Sequence, residues 1–135
     1  MPKIDVSFIL LAVLCLIAGI AMGIVMGASH DFRFTPVHAH LNLLGWTSLA
    51  LFGLVYKNYP ALTNSWLANI HLILSGSTAV IFPVGIYVSI AHDNPALAIV
   101  ASFVALGGIL VFFANLVRVF FFSQKSAAAA EEALA

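Results

Sequence analysis

Apolar residues arrive along this chain in four long runs, and polar residues gather in the three breaks between them. The runs extend from about Val6 to Ala28, Val37 to Tyr56, Trp66 to Ala91 and Ala96 to Phe122. Each reaches the roughly 20 helical residues that cross a hydrocarbon core. The breaks "SHDFRFTP", "KNYPALTNS" and "HDNP" carry turn-forming residues and are too short to be domains. The pattern predicts an all-α, integral membrane four-helix bundle over residues 1–123, with a cytoplasmic tail at 124–135. The low-complexity stretch "SAAAAEEALA" makes that tail a solvent-facing, frayed or disordered segment with no assigned function.

Composition agrees. The chain of 135 residues is 63% hydrophobic and 7% charged, and its mean hydropathy is +1.12. That is too little charge to cover a soluble surface. The formal net charge is zero and no basic run is long, which argues against nucleic acid as a partner. The single cysteine, Cys15, excludes an intrachain disulfide and argues against a thiolate metal site. The first run resembles a signal peptide in place, but it is longer than a signal core. It also carries Gly19, Gly23 and Gly27, small residues that let another helix approach closely.

Cations give an orientation. Lys3, Lys57, Arg118 and Lys125 fall on one side of the alternation and Arg33 on the other, so both termini are expected in the cytoplasm. Arg118 is placed to snorkel, and Tyr56, Tyr59 and Trp66 suit the inner interface.

Titratable groups inside spans call for a function, and here histidines equal lysines and arginines together, five of each. His30, His38, His40 and His92 fall at or just inside the outer end. His71 lies roughly 7 Å in from the other end, about 15 Å in height from His40 at 1.5 Å per residue. Thr35 reads as N-cap and Pro36 as first helical residue, with His38 and His40 near the third and fifth positions. Side chains two apart on a helix diverge by about 200°, whereas one small ion takes ligands four apart. The two histidines therefore face different neighbours. A helix N-terminus favours neutral imidazole, the metal-binding form, and Asn42 is placed to orient a ligand or a water. His30 and His92 also read as polar anchors paired with Asp31 and Asp93. His71 reads equally as a ligand or as a helix-to-helix hydrogen bond. The glycines, Trp46 and the phenylalanines read as packing, which would also suit a flat cofactor.

The stretch H-A-H-L-N-L-L-G-W on the second helix, followed by I-H-L-I-L-S-G on the third, resembles short four-helix proteins of the heme–copper oxidase subunit I-like kind. The large subunit of those oxidases has three helix quartets, one bearing an H-x-H whose imidazoles bind two hemes. The resemblance implies a homotrimer in the bilayer, in which His38 and His40 hold the iron of heme b at different subunit interfaces. It places Arg33, beside His30, where propionates would emerge, and His92 loosely where a copper ligand would stand. No H-P-x-x-Y occurs and no acidic residue lies inside a span, which argues against proton-pumping oxygen reduction. Electron transfer, redox chemistry as an oxidoreductase, or gas binding remain, with an unidentified redox partner. The alternatives are an oligomeric channel or carrier for a metal ion or small solute, and a non-catalytic helper subunit. A bacterial inner membrane is the expected location.

Overall fold

The computed structural model describes residues 3–132, with side chains through Phe121. Four helices follow one another: α1 (Ile4–Ser29), α2 (Thr35–Asn58), α3 (Trp66–His92) and α4 (Ala96–Glu132). Each is long and apolar enough to cross a membrane, α4 over Ala96–Phe121, as in a multi-pass membrane protein. In lipid a helix is the segment that satisfies its own backbone, which is why these runs fold this way. Beyond the span, α4 continues as helix through the alanine-rich stretch to Glu132. The last three residues of the expected tail, 133–135, and the side chain of Lys125 lie outside the described residues.

The turns follow from their residues. A 3₁₀ turn, Pro60–Thr63, links α2 to α3. Ser65 caps α3, its hydroxyl accepting from the Leu67 amide at 3.2 Å. Asp93 ends α3 in the left-handed region at φ 52°, and the Asn94 side chain accepts from the Ala96 amide at 3.1 Å to start α4. His30 closes α1 in the same conformation, at φ 53°.

The chain runs up and down, so one end gathers Phe8, Tyr56, His71 and Phe112. The other end brings Phe34 against Tyr87, ring centroids 4.9 Å apart. α1 packs on α2, α2 on α3, and α4 mainly on α3. Leu10, Ile24, Ile73, Phe103 and Phe113 point outward, as expected of a lipid-facing surface.

Small residues set the helix spacings. A Cβ on Gly45 of α2 would stand 2.7 Å from the Cys15 Cβ of α1, and one on Gly53 would stand 3.0 Å from the Asp5 carbonyl oxygen. Between α3 and α4, a Cβ on Gly85 would stand 2.7 Å from the Ala98 backbone nitrogen. The expected seam on α1 divides in its use. Gly19 and Gly23 face side chains of α2, while a Cβ on Gly27 would meet nothing within 4 Å.

This predicts opposite outcomes for two identical changes. Gly85→Ala collides with backbone that cannot rotate away, and overpacking of this kind costs about 1–3 kcal/mol. Gly27→Ala enters open space. Thermal unfolding in detergent should show a lower midpoint for the first and an unchanged or raised one for the second.

Candidate functional site

The polar groups of α2 are laid out by how the helix begins. Phe34, one residue earlier than expected, is the N-cap, and Thr35 is already helical. The Thr35 hydroxyl donates to the Phe32 carbonyl at 2.7 Å instead of capping the helix. Thr35–His40 is α-helical and places Pro36 in the first turn, where its missing N–H is no loss. From Leu41 to Ser48 the helix widens into a π-helix, then returns to α-helix at Leu49. Such π segments recur at functional sites, because they displace side chains from an α-helical course.

His38 and His40 diverge across α2. His38 is half-buried and lies on α1, its Cε1 3.1 Å from where a Cβ on Gly23 would stand. Asn42, one turn on, occupies the space beside Gly19, where a Cβ would stand 2.5 Å from its Oδ1. The Asn42 amide donates to the His38 carbonyl at 2.9 Å, and its nitrogen is 3.5 Å from His38 Nδ1. Asn42 thus lies against His38.

His40 faces α3, the edge of its ring against Phe82 with centroids 5.1 Å apart. Its Nδ1 is 2.8 Å from the Pro36 carbonyl oxygen. A carbonyl only accepts, so Nδ1 is the donor in this contact, and in the neutral ring Nε2 would be the nitrogen without a proton. Metal-bound histidines are commonly held this way, by a backbone carbonyl on the nitrogen that does not bind the metal. His40 is also half-exposed, so a group outside this chain can approach it.

Arg33 is committed locally. Its Nη2 lies 2.8 Å from Asp31 Oδ2, and its Nε is 3.1 Å from each carboxylate oxygen. These hydrogen bonds hold the Asp31 carboxyl below its ordinary range and raise the guanidinium in turn. Asp31 therefore pairs with Arg33 and not with His30, and a propionate at Arg33 would have to compete with this carboxylate. His30 and His92 are exposed at the ends of α1 and α3. Among the described residues, no three of the His, Cys, Asp and Glu side chains come together as a donor set for one ion.

His71 lies at the opposite end of the bundle and is fully buried. Rings of Phe8, Phe52 and Phe112 surround it at centroid distances of 5.0, 4.5 and 4.8 Å. Its Nδ1 is 3.1 Å from the Tyr56 hydroxyl, a helix-to-helix hydrogen bond between α3 and α2. Tyr56, expected as an interface anchor, is 1% exposed because this bond draws it inward. Tyr59 and Trp66 do face outward. Close by, the buried Asn115 of α4 donates to the Leu62 carbonyl at 2.9 Å. Arg118 donates to Asn115 Oδ1 at 3.0 Å and to the Ala61 carbonyl at 3.2 Å. Arg118 thus ties α4 to the α2–α3 turn.

A hollow of about 520 Å³ forms an apolar groove between α1, α2 and α3. Val37, Leu41 and Tyr87 line it, and neither His38 nor His40 does. The α2 histidines lie on the flanks of the helix and the groove on another face.

Asn115 escaped the sequence reading although an amide inside an apolar run is itself a signal. The π-helical segment leaves no such mark, since L-N-L-L-G-W-T-S has the composition of an ordinary membrane helix.

The His71 cluster gives a stability prediction. Tyr56→Phe leaves the imidazole Nδ1 without its partner and should cost about 1–2 kcal/mol. Adding His71→Phe, which removes the buried polar ring as well, should recover most of that loss. Detergent melting of the single and double variants measures both; additive losses would mean that the two side chains do not act as a pair.

No family model, curated protein or solved structure matches this chain, so its function has to be argued from these residues.

Proposed function

We propose that the protein is a membrane heme b-binding protein of the heme–copper oxidase type, working as a homotrimer. His40 and His38 of neighbouring copies would hold iron at the contacts between subunits. The observation that carries this reading is the Nδ1–H bond from His40 to the Pro36 carbonyl, 2.8 Å long. It orients the ring and, in the neutral imidazole, would leave Nε2 as the nitrogen able to bind a metal. The divergence of His38 toward Gly23 and His40 toward Phe82 supports the use of two faces for two contacts. The donor chemistry of His40, an imidazole nitrogen, would fit a heme iron.

Each residue has a role in this reading. His40 supplies a neutral nitrogen, and the Pro36 carbonyl holds the proton of its other nitrogen. Asn42 braces the His38 backbone, and Gly23 gives the His38 ring room. Heme bound there supplies one-electron redox chemistry or a gas-binding iron. The protein then serves electron transfer, redox chemistry or gas binding in a bacterial inner membrane, with both termini in the cytoplasm. The cation distribution that orients it includes Lys3 and Arg118 on one side and Arg33 on the other. Asp5, Asp31 and Asp93 all stand at the ends of spans, and proton-pumping oxygen reduction is not part of the proposal.

A reduced-minus-oxidised visible spectrum of the purified protein tests this. Sharp low-spin heme bands are expected, lost in His40→Ala and in His38→Ala while circular dichroism keeps its helical signal. A colourless protein contradicts the reading, and a spectrum unchanged by both substitutions contradicts the ligand assignment. Native mass measurement should give a trimer; a heme-loaded monomer would remove the subunit-interface arrangement.

A further inference from the structure

The end of the bundle where α1 begins and α2 stops carries two charges of opposite sign. α1 starts at Ile4 with Asp5 in its first turn, and α2 stops at Asn58 with Lys57 in its last. Each charge suits the dipole of its own helix, negative at a start and positive at an end. The two helices run antiparallel, so the carboxylate and the ammonium come to one height, at the ends of their spans. Both line the same groove, yet they do not pair. Among the described residues the only salt bridge is that of Arg33 with Asp31.

The groove is a half-open hollow of about 350 Å³ between α1 and α2. Its floor is the buried Gly53, where a Cβ would stand 2.8 Å from Ile9 Cγ1, so the hollow exists because that side chain is missing. Val6 and Leu10 of α1 and Leu54 of α2 form walls that are open to the bilayer. Asp5 is half-buried and Lys57 exposed, which leaves both charges within reach of a group from outside.

This combination selects its occupant. A hydrocarbon tail alone has no use for the charges, and a lone anion drawn to Lys57 would meet the Asp5 carboxylate. A soluble zwitterion would leave the apolar walls unused. The matching ligand carries a phosphate and a cation close together, has an apolar tail, and lies at headgroup level. That describes a zwitterionic phospholipid. An ethanolamine head ends in an ammonium with three N–H donors, which can bond a carboxylate directly, whereas a quaternary choline head has none. The hollow is at the small end of the roughly 300–1,000 Å³ range of ligand sites, enough for a compact head while the tails stay in the bilayer.

We propose that this groove binds one phospholipid with an ethanolamine head, its phosphate on Lys57, its ammonium on Asp5 and an acyl chain along Val6, Leu10 and Leu54. The bound lipid bridges α1 and α2 at the end of the bundle opposite the α2 histidines. The site does not depend on heme.

Native mass spectrometry of the full chain tests this, with the detergent-solubilised protein given an equimolar mixture of ethanolamine, choline and glycerol phospholipids of identical acyl chains. One ethanolamine lipid should be retained several-fold over either competitor. Asp5→Asn should reduce its retention to the level of the choline lipid without changing the latter. Lys57→Gln should weaken both zwitterionic lipids, and Lys57→Arg, which keeps the cation, should restore them. Lys3, a cation at the same end, does not line the groove, so Lys3→Gln should leave the selection as it is. Circular dichroism checks that each variant keeps its helices, and Asp5→Ser replaces Asp5→Asn if that variant does not. Equal retention of the three lipids, or a preference for the anionic glycerol lipid, overturns the site. So does a preference that survives the loss of the Asp5 carboxylate, or one lost equally in Lys3→Gln.

Discussion

The close seating of α2 on α1 is the contact on which the rest of the structure depends. In a bilayer, lipid tails are as apolar as leucine, so helices gain little from hydrophobic burial and associate through fit. Here the fit comes from glycines on both partners. Gly19 and Gly23 of α1 make room for Asn42 and His38, and Gly45 and Gly53 of α2 make room for Cys15 and Ile9. A Cβ at Gly19, Gly45 or Gly53 would approach its neighbour within 3.0 Å. The contact runs the length of α2 and brackets the π-helical segment. It therefore fixes His38 against α1 and leaves His40 to turn toward α3.

The two ends of the bundle use histidine in opposite ways. At the His71 end the imidazole is enclosed by aromatic rings and tied to Tyr56, which suits a structural polar contact in a dry interior. At the α2 end the imidazoles are half-exposed, one braced by an asparagine and the other by a backbone carbonyl. An enclosed ring has no room for a new ligand, whereas a half-exposed ring with a bare nitrogen does. That contrast separates His40 from His71 as a candidate ligand, although both are histidines in apolar spans.

The four helices were legible because bilayer thickness fixes run length, and the breaks hold Gly, Pro, Asn and Asp where helices must stop. The divergence of His38 and His40 was legible too, because both lie in the short α-helical opening where 100° per residue holds. What followed was not. The π-helical segment, Leu41–Ser48, carries no residue that marks it out from an ordinary membrane helix. Tyr56 was misplaced because a tyrosine near a helix end fits the interface equally well, and the bond to His71 that draws it inside is a tertiary event. The pairing of Arg33 was not legible for a related reason: Asp31, two residues away, was read beside His30, and only the folded loop brings its carboxylate to the guanidinium. The use of Gly19 and Gly23 as seats for side chains, with Gly27 left open, likewise appeared only once the helices were packed.

A proton on His40 Nδ1, held by the Pro36 carbonyl 2.8 Å away, would leave Nε2 bare in the neutral ring. Nitrogen-15 NMR of histidine-labelled, cofactor-free protein in bilayers reads that proton directly. The account predicts that His40 carries its proton on Nδ1 with Nε2 unprotonated, and that Pro36→Ala, which keeps the carbonyl, leaves this unchanged. A proton on Nε2 of His40 would contradict it.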